Sequence, residues 1–261
     1  VWLTPALDGL FVGAAGDRRR FLDRLVVCFD PAHSTRVNQF ERAMRQRNRL
    51  LENRAPGSDA ALSAIERVMA ETGVALGAGR VAAIEALRHT MAIRREERAG
   101  SPFPWADVAL EGGLAEDLGC DAAVDVEDRY ARTLADVRGR DARAGRALDG
   151  PHRMDLAVTH GPKQMAARFC STGEQKALLV GLVLAHAAML SARAAGAAPI
   201  LLLDEIAAHL DQHRRAALFA ELSALGSQAW MTGTDAAQFE AIFGAADVFE
   251  VRDGVLAKHS G

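Results

Sequence analysis

One segment, Pro199-Ile200-Leu201-Leu202-Leu203-Asp204-Glu205, constrains the fold of this chain more than any other. Four consecutive aliphatic residues, preceded by proline and followed by two carboxylates, predict a buried parallel strand ending at the C-terminal edge of a sheet. Ligands gather at that edge in open α/β sheets. An acid placed there can hold Mg²⁺ through its water shell, and a second acid one residue later can orient or deprotonate a water. The same residues also describe a strand running into an acidic helix N-terminus, where the dipole favours acids in any case.

Upstream, Ser171-Thr172-Gly173-Glu174-Gln175-Lys176 precedes a long apolar helix expected from Ala177 to about Ala195. Ser171 with Glu174 three residues on is a capping box. The same geometry of hydroxyl, glycine N–H and helix N-terminus makes an anion site able to touch a γ-phosphate. Downstream, Leu210-Asp211 leads to a helix expected over 212–225 and a strand over 228–231, ending in Thr232-Gly233-Thr234. A hydroxyl at that strand tip can sense the same phosphate. Taken alone, Thr-Gly-Thr is a loop, and its place in the order gives it weight. His209 and His213 have the spacing of a metal pair, but no third ligand accompanies them.

Composition narrows the classes. With 261 residues, 49% hydrophobic and 25% charged, the chain suits a globular protein of one or two domains. No apolar run approaches the ~18 residues of a spanning helix, so no membrane association is expected. Of 31 Lys plus Arg, only Lys163, Lys176 and Lys258 are lysines. None follows a glycine, so the chain holds no Gly-Lys-Ser/Thr phosphate loop. Cys28, Cys120 and Cys170 are odd in number and lack Cys-x-x-Cys spacing, which argues for a reducing cytoplasm over a disulfide framework. Cys170 reads as a buried structural thiol. The first residues carry neither an initiator Met nor a signal peptide, and the chain reads as the C-terminal part of a longer protein.

The net charge of −3 hides segregation. Residues 17–54 carry ten arginines against five acids, whereas Asp107 to Asp128 carry eight acids and no base. A basic face suits phosphates and an acidic one repels them, although solvated helix surface gives the same counts. Arg18, Arg19, Arg20 and Arg24 cluster as candidate DNA contacts, beside Phe21, Leu22 and Leu25 at amphipathic spacing. From Arg36 to Arg98, Phe40, Met44, Leu51, Leu62, Ile65, Met69, Leu76, Ile84, Leu87 and Met91 recur at helical steps. The break Ala55-Pro56-Gly57-Ser58-Asp59 divides this stretch into a helical hairpin or arm, with Ser58 or Asp59 as N-cap. Ser101-Pro102 ends it, Trp105 to Leu110 alternates like a half-exposed strand, and an amphipathic helix is expected over 126–137. Gly139-Arg140-Asp141 reads as a turn, and after residue 151 strands and helices alternate as in a layered α/β domain.

A Ser-x-Gly-Glu-Gln signature, an aliphatic run with Asp-Glu, a Leu-Asp loop and a Thr-bearing strand together resemble part of an ABC-type ATPase head. Trp2-Leu3-Thr4-Pro5, Asp17-Arg18-Arg19-Arg20-Phe21-Leu22-Asp23-Arg24, Tyr130 and Gly150-Pro151-His152-Arg153-Met154-Asp155-Leu156 resemble the RecF family, bacterial relatives of SMC-like repair ATPases. The resemblance implies an α/β head, residues 1–30 and 99–261, with a short helical arm inserted at 31–98. It implies Asp204 as the Walker B aspartate holding Mg²⁺ and Glu205 as the carboxylate that activates the attacking water. Ser171, Gly173 and Glu174 become the signature that closes over ATP on the opposite subunit, so dimerisation is ATP-dependent. Asp211 falls in the D-loop, and Thr232 or Thr234 takes the place of a switch histidine. Implied partners are single-stranded and gapped duplex DNA, RecO, RecR and RecA-type proteins, in repair, replication and the SOS response.

Two departures stand out. The family's Gly-Lys-Thr loop is missing, so ATP hydrolysis is expected only of the full-length protein. Met154 also interrupts the His-Arg-Asp-Asp run usual in the family. A non-hydrolysing DNA-binding scaffold and another ABC-type chromosome or repair ATPase are the alternatives. Against the latter, some 60 helical residues reach about 90 Å as one helix and half that as a hairpin.

Overall fold

The computed structural model describes residues 1–53, 57–97, 103–193, 198–208 and 210–258. The Ala55-Pro56 break, Ser101-Pro102, the far end of the apolar helix and His209 lie outside the described residues. In chain order the elements begin with β1 (Trp2–Leu3), α1 (Ala15–Val27), α2 (His33–Glu52) and α3 (Asp59–Glu97). Next come β2 (Ala106–Glu111), α4 (Ala115–Cys120), α5 (Ala123–Asp136), α6 (Arg138–Ala144), β3 (Asp155–His160) and β4 (Met165–Ala166). The chain continues with α7 (Thr172–Arg193), β5 (Leu201–Leu203), α8 (Gln212–Leu225), β6 (Ala229–Met231), β7 (Phe249–Arg252) and β8 (Val255–Lys258).

Two compact units form. One comprises residues 1–9, 90–106 and 160–261, and the other 10–89 and 107–159. This grouping sets α1 and residues 107–159 with the helical hairpin, at other boundaries than the sequence partition into 1–30, 31–98 and 99–261.

The second unit is built on helix packing. Phe40 and Ala43 of α2, Met69, Ala70, Val74 and Leu76 of α3, and Val126, Tyr130 and Leu134 of α5 share one core. Within each helix these positions recur at steps of three, four or seven (Phe40 to Ala43, Ala70 to Val74, Met69 to Leu76, Val126 to Tyr130 to Leu134), so each helix presents one stripe inward. Fully buried Arg47 donates from Nε to Glu66 (2.9 Å), from Nη1 to Asp141 (2.7 Å) and from Nη2 to the Leu134 carbonyl (2.7 Å). Gly139-Arg140-Asp141, expected as a turn, lies instead within α6. The reason is visible in this network, since burying Asp141 against Arg47 requires a regular element there.

Most of the residues that carried the family resemblance, Trp2 to Pro5 excepted, gather in the same unit as scaffold. Arg18 makes a two-toothed pair with Asp155 (2.8 and 2.7 Å), and Arg80 grips Asp23 in the same way (2.8 and 2.9 Å). The Tyr130 hydroxyl donates to the Asp149 carbonyl (3.0 Å). Gly150, at φ 131°, leaves no room for a side chain, because a Cβ there would stand 2.1 Å from that hydroxyl. Met154 is wholly buried in the core, which accounts for an apolar residue in that run.

In the first unit β1, β5 and β6 form a parallel sheet in the order β1-β5-β6. The expected strand is present, but it is buried on one face only. Leu201 and Leu203 are covered, whereas Leu202 is 51% exposed and aligns in register with Trp2 (45%) and Trp230 (58%). α7 runs behind the sheet with Leu178, Leu179, Leu182 and Val183 buried. Contrary to the sequence reading, α7 is long and apolar enough to cross a membrane by length and composition. Some 72% of its most apolar window is buried inside the protein, the position of a core helix.

Candidate functional site

At the tip of β5, Asp204 and Glu205 leave the sheet together, both exposed. Their backbone is fixed by the neighbouring strands: the Asp204 N–H donates to the Leu3 carbonyl (2.9 Å), and the Thr232 N–H to the Leu203 carbonyl (3.1 Å). Thr232, just past β6, then joins the pair. Its hydroxyl donates to the Asp204 carboxylate and accepts from the Glu205 backbone N–H (3.1 Å). Glu205 adopts φ 48°, a left-handed conformation that costs a non-glycine residue on the order of 1 kcal/mol. Such strain concentrates at functional sites. Thr234 is exposed and makes no side-chain hydrogen bond among the described residues, so Thr232 is the hydroxyl that reaches the acids.

The second cluster caps α7. The Ser171 N–H donates to Glu174 Oε2 (3.0 Å), and the Glu174 N–H to Ser171 Oγ (3.4 Å), a reciprocal capping box. Lys163 Nζ lies 2.5 Å from Glu174 Oε1. That lysine, with the Ser171 N–H, pulls the Glu174 carboxyl down to about 2. Gly173 sits in the first turn between them. Gln175 is buried and donates to the Cys170 carbonyl (2.9 Å), and buried Lys176 pairs with Asp8 (2.6 Å). Sequence reasoning passed over Lys163 and Lys176 as contributors. Their signal was rarity, since two of only three lysines serve this one helix start.

Asp211 is the N-cap of α8, its carboxylate accepting from the Arg214 N–H (2.9 Å), which holds its pKa low. Among the described residues no hydrogen bond joins the capping-box cluster to the strand-tip cluster. The described residues also contain no group of three or more His, Cys, Asp or Glu able to enclose a metal. Cys170 is buried and burial raises its thiol pKa, as suits a structural cysteine.

The α1 arginines are largely occupied. Arg18 is held by Asp155, and Arg19 donates to the Met154 carbonyl (3.0 Å). Exposed Arg20 pairs with Asp17, and Arg24 packs over the Phe21 ring at 5.5 Å.

No family model matches the chain. It is 56% identical over 256 residues to the DNA replication and repair protein RecF of Brucella abortus (strain 2308), covering 98% of this chain and 65% of the relative. To the RecF of Allorhizobium ampelinum it is 54% identical over 258 residues, covering 98% of this chain and 67% of the relative. The chain belongs to the RecF family. It thus spans 65% of the length of the Brucella protein. In three dimensions it is similar to the recombination mediator protein RecF-ATPrS of the RecFOR pathway, with a TM-score of 0.79 at 20% identity. That match covers all of this chain and 67% of the other. The RecF-ATP structure of the same pathway matches with a TM-score of 0.77 at 19% identity. The fold is therefore that of an ABC-type ATPase head, an α/β fold as the sequence predicts.

Proposed function

We propose that the intact protein is a DNA-binding ABC-type ATPase of recombinational repair, which dimerises on ATP and hydrolyses it slowly. The observation that carries this reading is the strand-tip cluster, in which Asp204 and a strained Glu205 are tied to one hydroxyl from the next strand. Asp204 has a carboxylate oxygen beyond the one Thr232 occupies. That suits Mg²⁺, which keeps several waters and takes one or two carboxylates besides substrate phosphates. When bound, the ion would neutralise charge on those phosphates. Glu205 orients and deprotonates the attacking water, and Thr232 fixes the Asp204 carboxylate and the Glu205 backbone. Ser171, Gly173 and Glu174 present a helix N-terminus to the ATP held by a second copy, and Asp211 lies beside that interface.

The relatives' name, DNA replication and repair protein, and the RecFOR pathway named for the solved structures support a part in recombinational repair. On this reading the intact protein works in the cytoplasm on single-stranded and gapped duplex DNA with RecO and RecR, loads a RecA-type protein and takes part in the SOS response. The division into head (1–30 and 99–261) and arm (31–98) belongs to the same proposal.

A non-hydrolysing scaffold is the second reading. It is favoured by the capping box and the Asp211 N-cap, which are complete structural devices without any nucleotide. Glu205→Gln in the intact protein separates the two. The backbone cost at φ 48° is the same for glutamine, so the fold should persist. Turnover should fall at least ~100-fold while ATP-dependent dimers accumulate. Hydrolysis at the wild-type rate would reject Glu205 as the base. A wild type that never hydrolyses ATP, and binds DNA equally with and without it, would establish the scaffold.

A further inference from the structure

We infer that the outer face of α2 is a binding surface for the phosphate backbone of nucleic acid. The inference rests on the DNA-binding reading above and gives it a location that the α1 arginines do not supply. Along the exposed side of α2 run Asn38, Gln39, Arg42, Arg45, Gln46 and Arg49, at steps of one, three or four residues. An ordinary solvated helix face mixes signs at i,i+4 spacing. Exposed Glu41 and Glu52 lie one and three residues from this stripe, but the side chains that line the depression along it are arginines, amides and Leu50, with no acid. Glu41 flanks it and meets Arg45 at 3.3 Å, an exposed pair of little worth. Arg42 and Arg49 form no ion pair among the described residues.

These arginines share a concavity. Arg42, Arg45, Gln46 and Arg49 line an open depression of about 590 Å³ together with Leu50 and Asn53. The helix beneath is held rigidly, since its inner face buries Phe40, Ala43, Arg47 and Leu51. Rigid placement keeps the guanidinium bases in one row. The Ala147 N–H donates to Asn48 Oδ1 (3.0 Å), tying α2 to the segment after α6. α6 itself and that segment add exposed Arg143 and Arg146. Elsewhere in this unit, arginines such as Arg18, Arg47, Arg80 and Arg138 are consumed by carboxylates.

Spacing favours a nucleic-acid strand. Arg42 to Arg49 covers about 10 Å of helix at 1.5 Å per residue, comparable to about three axial steps of a duplex at 3.4 Å per phosphate of one strand. Asparagine and glutamine amides donate to phosphate and sugar oxygens without reading sequence. The surface should therefore position DNA and leave its sequence unread.

The test is the salt dependence of DNA binding by the intact protein, wild type against the triple variant Arg42→Ala, Arg45→Ala, Arg49→Ala. On a duplex of arbitrary sequence, losing three phosphate contacts should reduce the slope of log K against log salt by about 2.7. The corresponding triple lysine variant should restore it, because each lysine keeps the charge. Arg252→Ala, on the exposed β7, should leave the slope unchanged. If the triple alanine variant does not fold, Arg42→Ala alone should lower the slope by about 0.9. An unchanged slope with DNA still bound would overturn this surface and leave DNA binding standing. A wild type that binds no DNA would remove both. Loss of binding to an acidic partner protein, with the DNA slope intact, would assign the face to protein and overturn the inference.

Discussion

The helical unit and the sheet unit use the same charged chemistry in opposite ways. In the helical unit Arg47, Glu66 and Asp141 are buried and fully partnered, by one another and by Arg138, Arg140 and the Leu134 carbonyl. In the sheet unit Asp204 and Glu205 stand in solvent, tied to one threonine through the Asp204 carboxylate and the Glu205 N–H, and without a cation partner among the described residues. Exposure and incomplete pairing separate these acids from the scaffold. A carboxylate that has all its partners is structure, and one held in place with an oxygen to spare is available for chemistry.

The largest effect should come from breaking the buried network. Arg47→Met removes the guanidinium that Glu66 and Asp141 share, leaving Arg138 on the one and Arg140 with the Leu148 N–H on the other, and should cost about 3 kcal/mol in urea denaturation. A loss below about 1 kcal/mol would show that the helical unit does not depend on this pairing. Asp204→Asn inverts that result: stability should stay within about 0.5 kcal/mol of wild type, while ATP turnover by the intact protein is lost. If it unfolds the protein instead, Asp204 is scaffold and the contrast fails. Thr232→Val falls between the two. It removes one donor and one acceptor, should cost about 1 kcal/mol, and should slow turnover, with Thr232→Ser restoring both.

The smallest effect concerns pH. Glu174 is held at about 2, below its ordinary 4.5, so its contribution to stability is present above pH 4.5 and fades as pH falls toward 2. Lys163→Met should flatten that dependence. Because the lysine is half-exposed, the difference should stay under about 1 kcal/mol, read as urea midpoints at pH 5 and pH 3. Identical profiles would remove Lys163 from the helix start.

Much of this contrast was legible in the sequence. The order Ser171–Glu174, Asp204-Glu205, Leu210-Asp211 and Thr232 is local, and each motif lies where its element ends. The helices from residue 36 onward announced themselves by apolar steps of three and four. What escaped was long-range. Nothing near Leu202 told that one face of its strand stays bare, since a tetra-aliphatic run reads the same with one face covered or two. The α1 arginines looked like DNA contacts because Asp155, which holds Arg18, lies 137 residues away. Asp141 looked like turn chemistry because its partner Arg47 is 94 residues distant. Lys163 was missed because its one cue, the rarity of lysine in this chain, does not say which helix start it serves.

The account turns on one claim: the strand tip of one copy and the helix start of another act on the same nucleotide. Mixing two inactive variants of the intact protein, Glu205→Gln and Ser171→Arg, tests it directly. In a mixed dimer one composite site carries both lesions and the other carries neither. ATP hydrolysis should therefore reappear on mixing, rising toward about a quarter of the wild-type rate at equal proportions, with half the dimers mixed and half their sites intact. If the mixture stays as inactive as its components while mixed dimers form, the two clusters do not work across the interface.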